Sequence, residues 1–247
     1  MIDLNHRSPN EKINTLIDDG LIAERSKQPT RTYLGGSRLG VSCERALQFE
    51  FFNAQKDDGK NFSGRTLRIF DVGSYLEDLA VNWIQTAGFT LYTRNPDTGS
   101  QYGFSVANGR IAGHVDGVIV NGPPDVIEYP ALWECKTMSA KHWRDCVKNG
   151  VAKSKPVYAA QIAIYQKYLC LTQNPAIFTA INKDTEELWF EPVPYNAALA
   201  QSSIEKGFRV LKACDEGIAL PRIANSPDYL ECKWCSWSAR CWAMPYA

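Results

Sequence analysis

The sequence predicts one domain of mixed α/β class, in which a central mixed sheet is flanked by helices. Helical and strand patterns alternate over the whole length, and no internal repeat or low-complexity segment interrupts them. The 247 residues are 45% hydrophobic and 22% charged, so the chain is long enough to bury a sizeable core. We therefore expect a single domain over residues 1–247.

The helices are predicted from their capping signals. Segment 8–11 (SPNE) combines an N-cap serine, a proline at the first helical position and a capping-box glutamate. The helix that follows should turn Ile13, Leu16 and Ile17 toward the core. Further helices are expected over 39–53, 71–87, 156–171 and 196–216.

The strands are predicted from apolar alternation and turn residues, over 89–94, 102–107, 110–120, 132–137 and a hairpin at 176–191. Side chains alternate across a strand, so Glu134 and Lys136 should share one face while Trp133 and Cys135 take the other.

Asp116 and Glu134 are candidate ligands of a metal ion. Asp116 stands in an otherwise apolar strand pattern, where a buried carboxylate is costly unless it is paired or bound to a cation. If the two strands are neighbours, both carboxylates converge on one Mg²⁺ or Mn²⁺, with the backbone carbonyl of Cys135 as a further ligand. Lys136 would then orient a water molecule or stabilise charge on a phosphate. A surface salt bridge is the alternative for these residues.

Polar residues on two predicted helices add to this group. Glu77 lies one turn after Gly73, whose lack of a side chain permits close approach. Tyr158, Gln161 and Tyr165 form one stripe that either faces solvent or hydrogen-bonds a phosphate or the attacking water. His114, close to Asp116, is given no role.

The cysteines form a second candidate site. Cys232, Cys235 and Cys241 are spaced C-x2-C-x5-C, and Cys43 stands far from them near the other end of the sequence. Four thiolates suit tetrahedral zinc or an iron–sulfur cluster. The N-terminus is polar and no run is long enough to span a membrane, so we expect a cytoplasmic protein with reduced cysteines.

Charge gives a local signal only. Twenty-seven basic and 27 acidic residues cancel, but basic residues dominate 25–45 and 136–155. These runs, which contain Arg45, Lys153 and Lys155, either line a groove for a phosphate backbone or form an ordinary solvated face.

Taken in order, these motifs resemble the PD-(D/E)XK nuclease superfamily and its RecB-like, iron–sulfur branch. That branch includes CRISPR-associated RecB-like nucleases, the nuclease domain of AddB and phage-encoded exonucleases. The matching elements are Cys43 with Arg45, Gly73 with Glu77, G-H-V-D at 113–116, E-C-K at 134–136, Y-x-x-Q-x-x-x-Y at 158–165 and the final cysteine run. The resemblance covers a core over 37–242 and leaves 1–36 as an N-terminal extension.

The resemblance implies a restriction-endonuclease-like core and a Mg²⁺- or Mn²⁺-dependent deoxyribonuclease, in particular an exonuclease. Asp116 and Glu134 would bind the metal together with Glu77, Lys136 would be the catalytic lysine, and Gln161 and Tyr165 belong to the motif that follows it. A 4Fe–4S cluster would join the two ends of the chain through Cys43, Cys232, Cys235 and Cys241. DNA contacts are expected from Arg45, Lys153, Lys155 and Tyr158.

Two other interpretations stay open. One is a non-catalytic DNA-binding adaptor with a structural iron–sulfur or zinc site, and the other is a zinc-stabilised interaction module. A separate helicase or recombination partner is compatible with the resemblance, since no ATP-binding P-loop occurs in this chain.

Overall fold

The computed structural model of the protein describes residues 8–244. The helices are α1 Pro9–Ser26, α2 Glu44–Phe51, α3 Gly64–Thr86, α4 Ala140–Asn149, α5 Val151–Ser154, α6 Pro156–Tyr168, α7 Ala197–Asp215, α8 Leu230–Trp234 and α9 Ser238–Ala243, with a 3₁₀ turn at Gly36–Arg38. The strands are β1 Leu34–Gly35, β2 Thr90–Tyr92, β3 Gly103–Val106, β4 Ile111–His114, β5 Gly117–Asn121, β6 Ala131–Met138, β7 Ala176–Asn182 and β8 Leu188–Val193. Of the helices described, none combines the length and apolar character that a membrane crossing requires.

The predicted mixed sheet flanked by helices is confirmed, and a second, smaller sheet accompanies it. The larger sheet has the order β2-β5-β6-β7-β8, with β6 and β7 parallel and the other neighbours antiparallel. The smaller sheet has the order β1-β4-β3, in which β1 and β4 run parallel. Strand β6 is thus the middle strand of the larger sheet.

Both faces of β6 are covered by packed side chains. On one face Trp133 and Cys135 belong to a core cluster with residues of α3, as the strand alternation predicts. The opposite face meets the main core, to which α6 and β7 contribute. Trp133 also donates from Nε1 to Thr179 Oγ1 on β7 at 2.9 Å. A strand packed on both faces is a rigid base for the residues it carries.

The prediction of one strand over 110–120 is wrong. β4 ends at His114 in the smaller sheet, and β5 begins at Gly117 in the larger one. Val115 and Asp116 connect the two, so Asp116 lies at a junction between sheets and not inside a strand. Apolar alternation continues across this junction, which is why the pattern read as a single strand.

Two helix predictions need correction. α1 has its predicted capping box, but none of its residues is buried, and Ile13, Leu16 and Ile17 are 57%, 71% and 47% exposed. The helix contacts α3 through another side, where Asp18 pairs with Arg68. α3 begins at Gly64 and not near residue 71, because the Ser63 hydroxyl caps it by accepting from the Thr66 N–H at 3.2 Å.

Candidate functional site

The structure brings the predicted catalytic residues of four separate elements to one place. β6 supplies Glu134 and Lys136, the β4–β5 junction supplies Asp116, and α3 supplies Glu77. The fourth element is α6. Its residues Tyr158, Gln161 and Tyr165 line an open cavity of about 430 Å³ together with Asp116 and Lys136. The stripe predicted on this helix therefore faces the site and not bulk solvent.

The Lys136 ammonium lies on the oxygens that were expected to bind metal. Its Nζ contacts Glu134 Oε1, lies 3.4 Å from Asp116 Oδ2 and donates to the carbonyl oxygen of Cys135 at 2.9 Å. The same Asp116 oxygen accepts from the Cys135 N–H at 2.8 Å, which fixes the junction against β6. The three predicted oxygen ligands thus converge on one positive charge.

Glu134 is held rigidly and has no contact with solvent. It is 0% exposed, and Gln161 Nε2 donates to its Oε1 from α6 at 2.5 Å. Its other oxygen, Oε2, is buried without a hydrogen-bond partner. Burial and the nearby charge of Asp116 raise the pKa of Glu134 to about 8.

Glu77 joins the group through a close approach of α3 to β6. A Cβ on Gly73 would meet Thr137 Oγ1 of β6 at 3.4 Å, an ordinary van der Waals contact, so the helix passes close to the strand one turn before Glu77 without depending on the glycine. Burial, followed by the charge of Asp116, raises the pKa of Glu77 to about 7. Three carboxyl groups therefore lie around the ammonium of Lys136, and the raised pKa values of Glu77 and Glu134 reflect the cost of charging them next to Asp116.

These residues fit a divalent cation in the chemistry of their donors. Carboxylate and carbonyl oxygens are the ligands that Mg²⁺ and Mn²⁺ prefer. Glu134 Oε2, which is buried and has no hydrogen-bond partner, is free to bind a metal ion. Within residues 8–244, no three His, Cys, Asp or Glu side chains are grouped around one ion position. The reason is visible at Lys136, whose ammonium fills the space between Glu134 and Asp116. Metal binding would require this side chain to withdraw.

The aromatic residues of α6 pack around the carboxylates. The Tyr158 ring lies 5.8 Å from Lys136 Nζ, a cation–π distance, and 6.4 Å from the Phe178 ring. Tyr165 is buried, and its burial raises the pKa of its hydroxyl. A Cβ on Gly36 or on Gly113 would stand 2.7 Å from Tyr165 Cε1, so both glycines make room for this ring. The Gly113 of the G-H-V-D motif therefore serves packing against α6.

Sequence analysis missed one wall of the cavity. This wall is polar and basic and comes from the segment before α2 and from the end of β4: Arg31, Tyr33, Ser37, Arg38 and His114. Segment 1–36 was given no function, although the basic run over 25–45 was a signal for this wall. The i, i+2 spacing of His114 and Asp116 was also a signal.

The predicted DNA-binding residues are spread over different environments. Tyr158 lines the cavity, whereas Lys153 lies in α5, Lys155 is the N-cap residue of α6, and neither is among the lining residues. Arg45 is only 2% exposed, and its Nη1 donates toward Cys241 Sγ at 3.8 Å. The prediction that Arg45 contacts DNA is therefore wrong for this structure, because its guanidinium points into the cysteine site.

The four predicted cysteines line a second cavity, of about 420 Å³. Cys43 is the N-cap residue of α2, Cys232 lies in α8, Cys235 ends α8, and Cys241 lies in α9. Burial raises the pKa of the Cys43, Cys232 and Cys235 thiols, and the cysteines also act on one another electrostatically. All eight cysteines are free, so no disulfide competes for the site.

Other contacts hold the two ends of the chain together beside the cysteines. The Trp237 ring stacks on Phe49 with centroids 5.9 Å apart, and its Nε1 donates to the Ala54 carbonyl at 2.8 Å. The Asp57 carboxylate accepts from the N–H groups of Ala239 and Arg240 at 2.7 and 3.1 Å. The C-terminal helices are thus docked on α2 and on the residues that follow it.

The cysteine cavity fits an anionic metal–sulfur group. Arg45 is buried beside it with Nε and Nη2 lacking hydrogen-bond partners, and thiolate sulfurs are suitable acceptors for such a cation. In an iron–sulfur cluster each cysteine binds a different iron, so the sulfurs stand farther apart than the ligands of a single ion.

We expect the stability of the metal-free protein to fall as pH rises from about 5 to about 8. The folded state keeps a proton on Glu134 up to about pH 8, whereas the unfolded chain releases it near the ordinary value of 4.5. A group whose pKa is raised by folding and whose charged form is buried therefore costs stability above its unfolded pKa. At about 1.4 kcal/mol per pKa unit, the three units between pH 5 and pH 8 correspond to a fall of about 4 kcal/mol.

Thermal unfolding in EDTA over this pH range is the measurement. Glu134→Gln removes the larger of two contributions and should flatten the slope in good part, leaving the contribution of Glu77. Glu205→Gln, on the exposed side of α7, should leave the slope unchanged. A Glu134→Gln variant with the wild-type slope would contradict the expected burial of a charge.

No protein-family model matches the chain, and no curated protein matches it. Solved structures do match it, and they share the mixed α/β fold described above. The alkaline exonuclease LHK-Exo from Laribacter hongkongensis has a TM-score of 0.51 and 13% identity, covering 81% of this chain and 93% of that one. LHK-Exo in complex with dAMP has a TM-score of 0.50 and 14% identity, covering 75% of this chain and 89% of that one. The structure of SSO0001 has a TM-score of 0.47 and 17% identity, covering 93% of this chain and 96% of that one.

The chain thus shares the fold of LHK-Exo. The predicted class of fold is confirmed, and membership of the PD-(D/E)XK nuclease superfamily and of its RecB-like iron–sulfur branch stays a prediction.

Proposed function

We propose that this protein is a Mg²⁺- or Mn²⁺-dependent DNA nuclease of the RecB-like, iron–sulfur branch. One observation carries the proposal: the oxygens of Asp116, Glu134 and the Cys135 carbonyl converge on one positive charge at the wall of an open cavity. A salt bridge serving stability alone does not need a third, half-buried carboxylate beside it, yet Glu77 is there. Buried carboxylates in excess of their cation are costly unless a further cation binds.

In this proposal Asp116, Glu134, Glu77 and the Cys135 carbonyl hold the cation, and Gln161 orients Glu134 through its hydrogen bond. The bound ion would supply Lewis acidity toward the phosphate and lower the pKa of a water molecule. Lys136, once displaced from the carboxylates, keeps its ammonium beside the reacting phosphate and stabilises the charge that develops there. Tyr158 lies across the cavity, where its hydroxyl can donate to a phosphate oxygen.

The substrate side of the proposal is DNA with an end or a single-stranded region, degraded as by an exonuclease. The neighbour LHK-Exo is described as an alkaline exonuclease, and one of its structures holds dAMP. The polar and basic wall formed by Arg31, Tyr33 and Arg38 has the chemistry to bind a phosphate backbone. A helicase or recombination partner belongs to this proposal as well.

The cysteine site would hold a 4Fe–4S cluster through Cys43, Cys232, Cys235 and Cys241. Its role would be structural, because the four residues connect α2 to α8 and α9. Bound zinc is the alternative for the same thiolates. Iron and sulfide analysis of anaerobically purified protein, with its visible absorbance, separates the two.

The test is cleavage of end-labelled single- and double-stranded DNA by wild type and Glu134→Gln, in Mg²⁺, Mn²⁺ or EDTA. Glu134→Gln keeps the volume of the side chain and can still contact Gln161, but loses the charge that binds the cation. We expect metal-dependent cleavage by the wild type and a loss of at least about a hundredfold in the variant. A covalently closed circle should resist cleavage if the activity needs an end.

Purification without oxygen keeps loss of the cysteine-bound metal from mimicking inactivity. Equal activity of wild type and Glu134→Gln would place the activity elsewhere or in a contaminant. An intact, metal-loaded wild type that binds DNA but does not cleave it would leave the adaptor interpretation.

A further inference from the structure

We infer that Trp234 is a stacking platform for an unpaired base of a DNA strand that leaves the catalytic cavity. This inference rests on the proposed function, because it concerns the path of the same substrate. It assigns a binding role to a surface on the cysteine side of the molecule, formed by Lys233 and Trp234 of α8 with Lys60 beside them.

The exposure of Trp234 is the first observation. Trp234 is 79% exposed, and Leu230, one turn earlier in α8, is 67% exposed. Tryptophan carries a large apolar surface that proteins ordinarily bury in good part. The fold gains little from an indole in this position, so its use is sought outside the chain.

The neighbouring tryptophans show what packing requires here. Trp237 is 8% exposed, stacks on Phe49 and donates to the Ala54 carbonyl. The Trp242 ring lies 4.6 Å from the Arg222 guanidinium. Both are engaged with the chain, whereas none of the ring contacts or hydrogen bonds found among residues 8–244 involves the Trp234 indole.

The surface is continuous with the catalytic cavity. Arg38 lines both that cavity and the cysteine cavity, and Trp234 lines the latter. Arg38 is held in place by Glu50, with its Nε 2.9 Å from a carboxylate oxygen. A strand bound at Asp116 and Lys136 can therefore pass Arg38 and continue toward α8.

Cations lie on the same surface as the indole, as a phosphate backbone requires. Lys60 donates from Nζ to the Lys233 carbonyl at 3.3 Å, which places its ammonium at the peptide that precedes Trp234. Lys233 itself lies 3.4 Å from Asp228, and Glu231 accepts from the Ser42 hydroxyl, so the nearby acids have partners. An exposed aromatic ring with adjacent lysines is the arrangement by which proteins hold single strands.

The ligand class follows from the ring. Every base has a face that can stack, so the platform should accept single-stranded DNA with little preference for sequence. Paired bases in a duplex are already stacked and present no free face. The surface should therefore discriminate between single-stranded and blunt double-stranded DNA.

The experiment measures binding of fluorescein-labelled oligo(dT) by anisotropy, in EDTA so that nothing is cleaved, with anaerobically purified full-length protein. Trp234→Ala should weaken binding roughly tenfold, within the 1–3 kcal/mol that base stacking contributes. Trp234→Phe should retain most of the affinity. The salt dependence should be the same as in wild type, whereas Lys60→Ala should lower its slope by about 0.7.

Leu230→Ala is the matched control, since it removes a similarly exposed apolar side chain that cannot stack. Equal weakening by Leu230→Ala and Trp234→Ala would overturn the inference in favour of an apolar surface for a protein partner. If the wild type binds and cleaves DNA but Trp234→Ala binds with unchanged affinity, the inference is overturned while the proposed function stands. A wild type that binds no DNA would overturn the proposed function with it. The visible absorbance and thermal midpoint of each variant show whether the cysteine site is intact.

Discussion

Replacement of Lys136 by methionine is expected to slow metal-dependent DNA cleavage about 10²- to 10³-fold while tightening the binding of Mn²⁺. The two effects have one cause. The Lys136 ammonium contacts Glu134, Asp116 and the Cys135 carbonyl, so it competes with a divalent cation for the same oxygens. Methionine preserves much of the side-chain length but carries no charge. The cation then binds without a competitor, and the phosphate loses the charge that stabilises its transition state.

The same variant should be less stable than wild type when no metal is present. Glu134 is fully buried, and removal of its charged partner leaves it unpaired, which costs about 3 kcal/mol. Addition of Mn²⁺ should recover more stability in Lys136→Met than in wild type. Calorimetric titration with Mn²⁺, thermal unfolding with and without metal, and single-turnover cleavage measure these effects.

Lys12→Met serves as the control, because Lys12 is an exposed lysine of α1 outside the cavity. Its affinity for Mn²⁺ and its cleavage rate should stay within about twofold of wild type, and its thermal midpoint should be unchanged. Cleavage by Lys136→Met at the wild-type rate would rule out a catalytic lysine. Weaker Mn²⁺ binding by that variant would rule out competition between the ammonium and the metal.

Replacement of Cys43 by serine is the second change with a large expected effect. We expect loss of the iron bound at the cysteine site and destabilisation by several kcal/mol, since binding of a structural metal contributes directly to folding. Cys43 is the only one of the four cysteines that comes from the N-terminal side of the catalytic residues. Its loss would remove the only one of these thiolates that ties the metal site to α2.

The expected consequence is local before it is global. Contacts such as the Trp237–Phe49 stack and the Asp57 hydrogen bonds would still hold α8 and α9 in place, but more weakly. Limited proteolysis should then cut first after Glu216, while the catalytic core stays intact. Iron content, visible absorbance and the cleavage pattern report the result. Cys170→Ser, at an exposed cysteine outside the cavity, should match wild type. Unchanged iron in Cys43→Ser would exclude Cys43 as a ligand.

The sequence predicted the class of fold and the central strand because local patterns determine both. The segment around Trp133 and Cys135 has the apolar character of a buried strand. Strand alternation then places Glu134 and Lys136 together on the opposite face. The break at Asp116 could not be predicted, since a chain that crosses from one sheet to another keeps the same alternation. The outward orientation of Leu16 was equally hidden, because amphipathic spacing indicates an apolar face but not what covers it.

The part of the candidate site that lies on one strand could be predicted, whereas the part that depends on contacts between distant segments could not. Glu134 and Lys136 are neighbours on one strand, so their common face could be derived from geometry alone. The cavity wall from Arg31 to Arg38 could not, because it depends on β1 pairing with β4, a contact between distant parts of the chain. Arg45 shows the opposite failure: a basic residue within a basic run was expected at the surface, yet it is buried at the cysteines.

The position of the cysteines along the chain has a consequence for biosynthesis. The ribosome makes Cys43 early and Cys241 only after every residue of the catalytic site. A metal that needs all four thiolates can therefore be inserted only when the core has already left the exit tunnel and begun to fold. Translation that stops before α8 would yield a chain with Glu134 and Lys136 in place but with α2 lacking its partners. Such a fragment would be marked for proteolysis by its unprotected end, so a cell would hold few incomplete copies able to attack DNA.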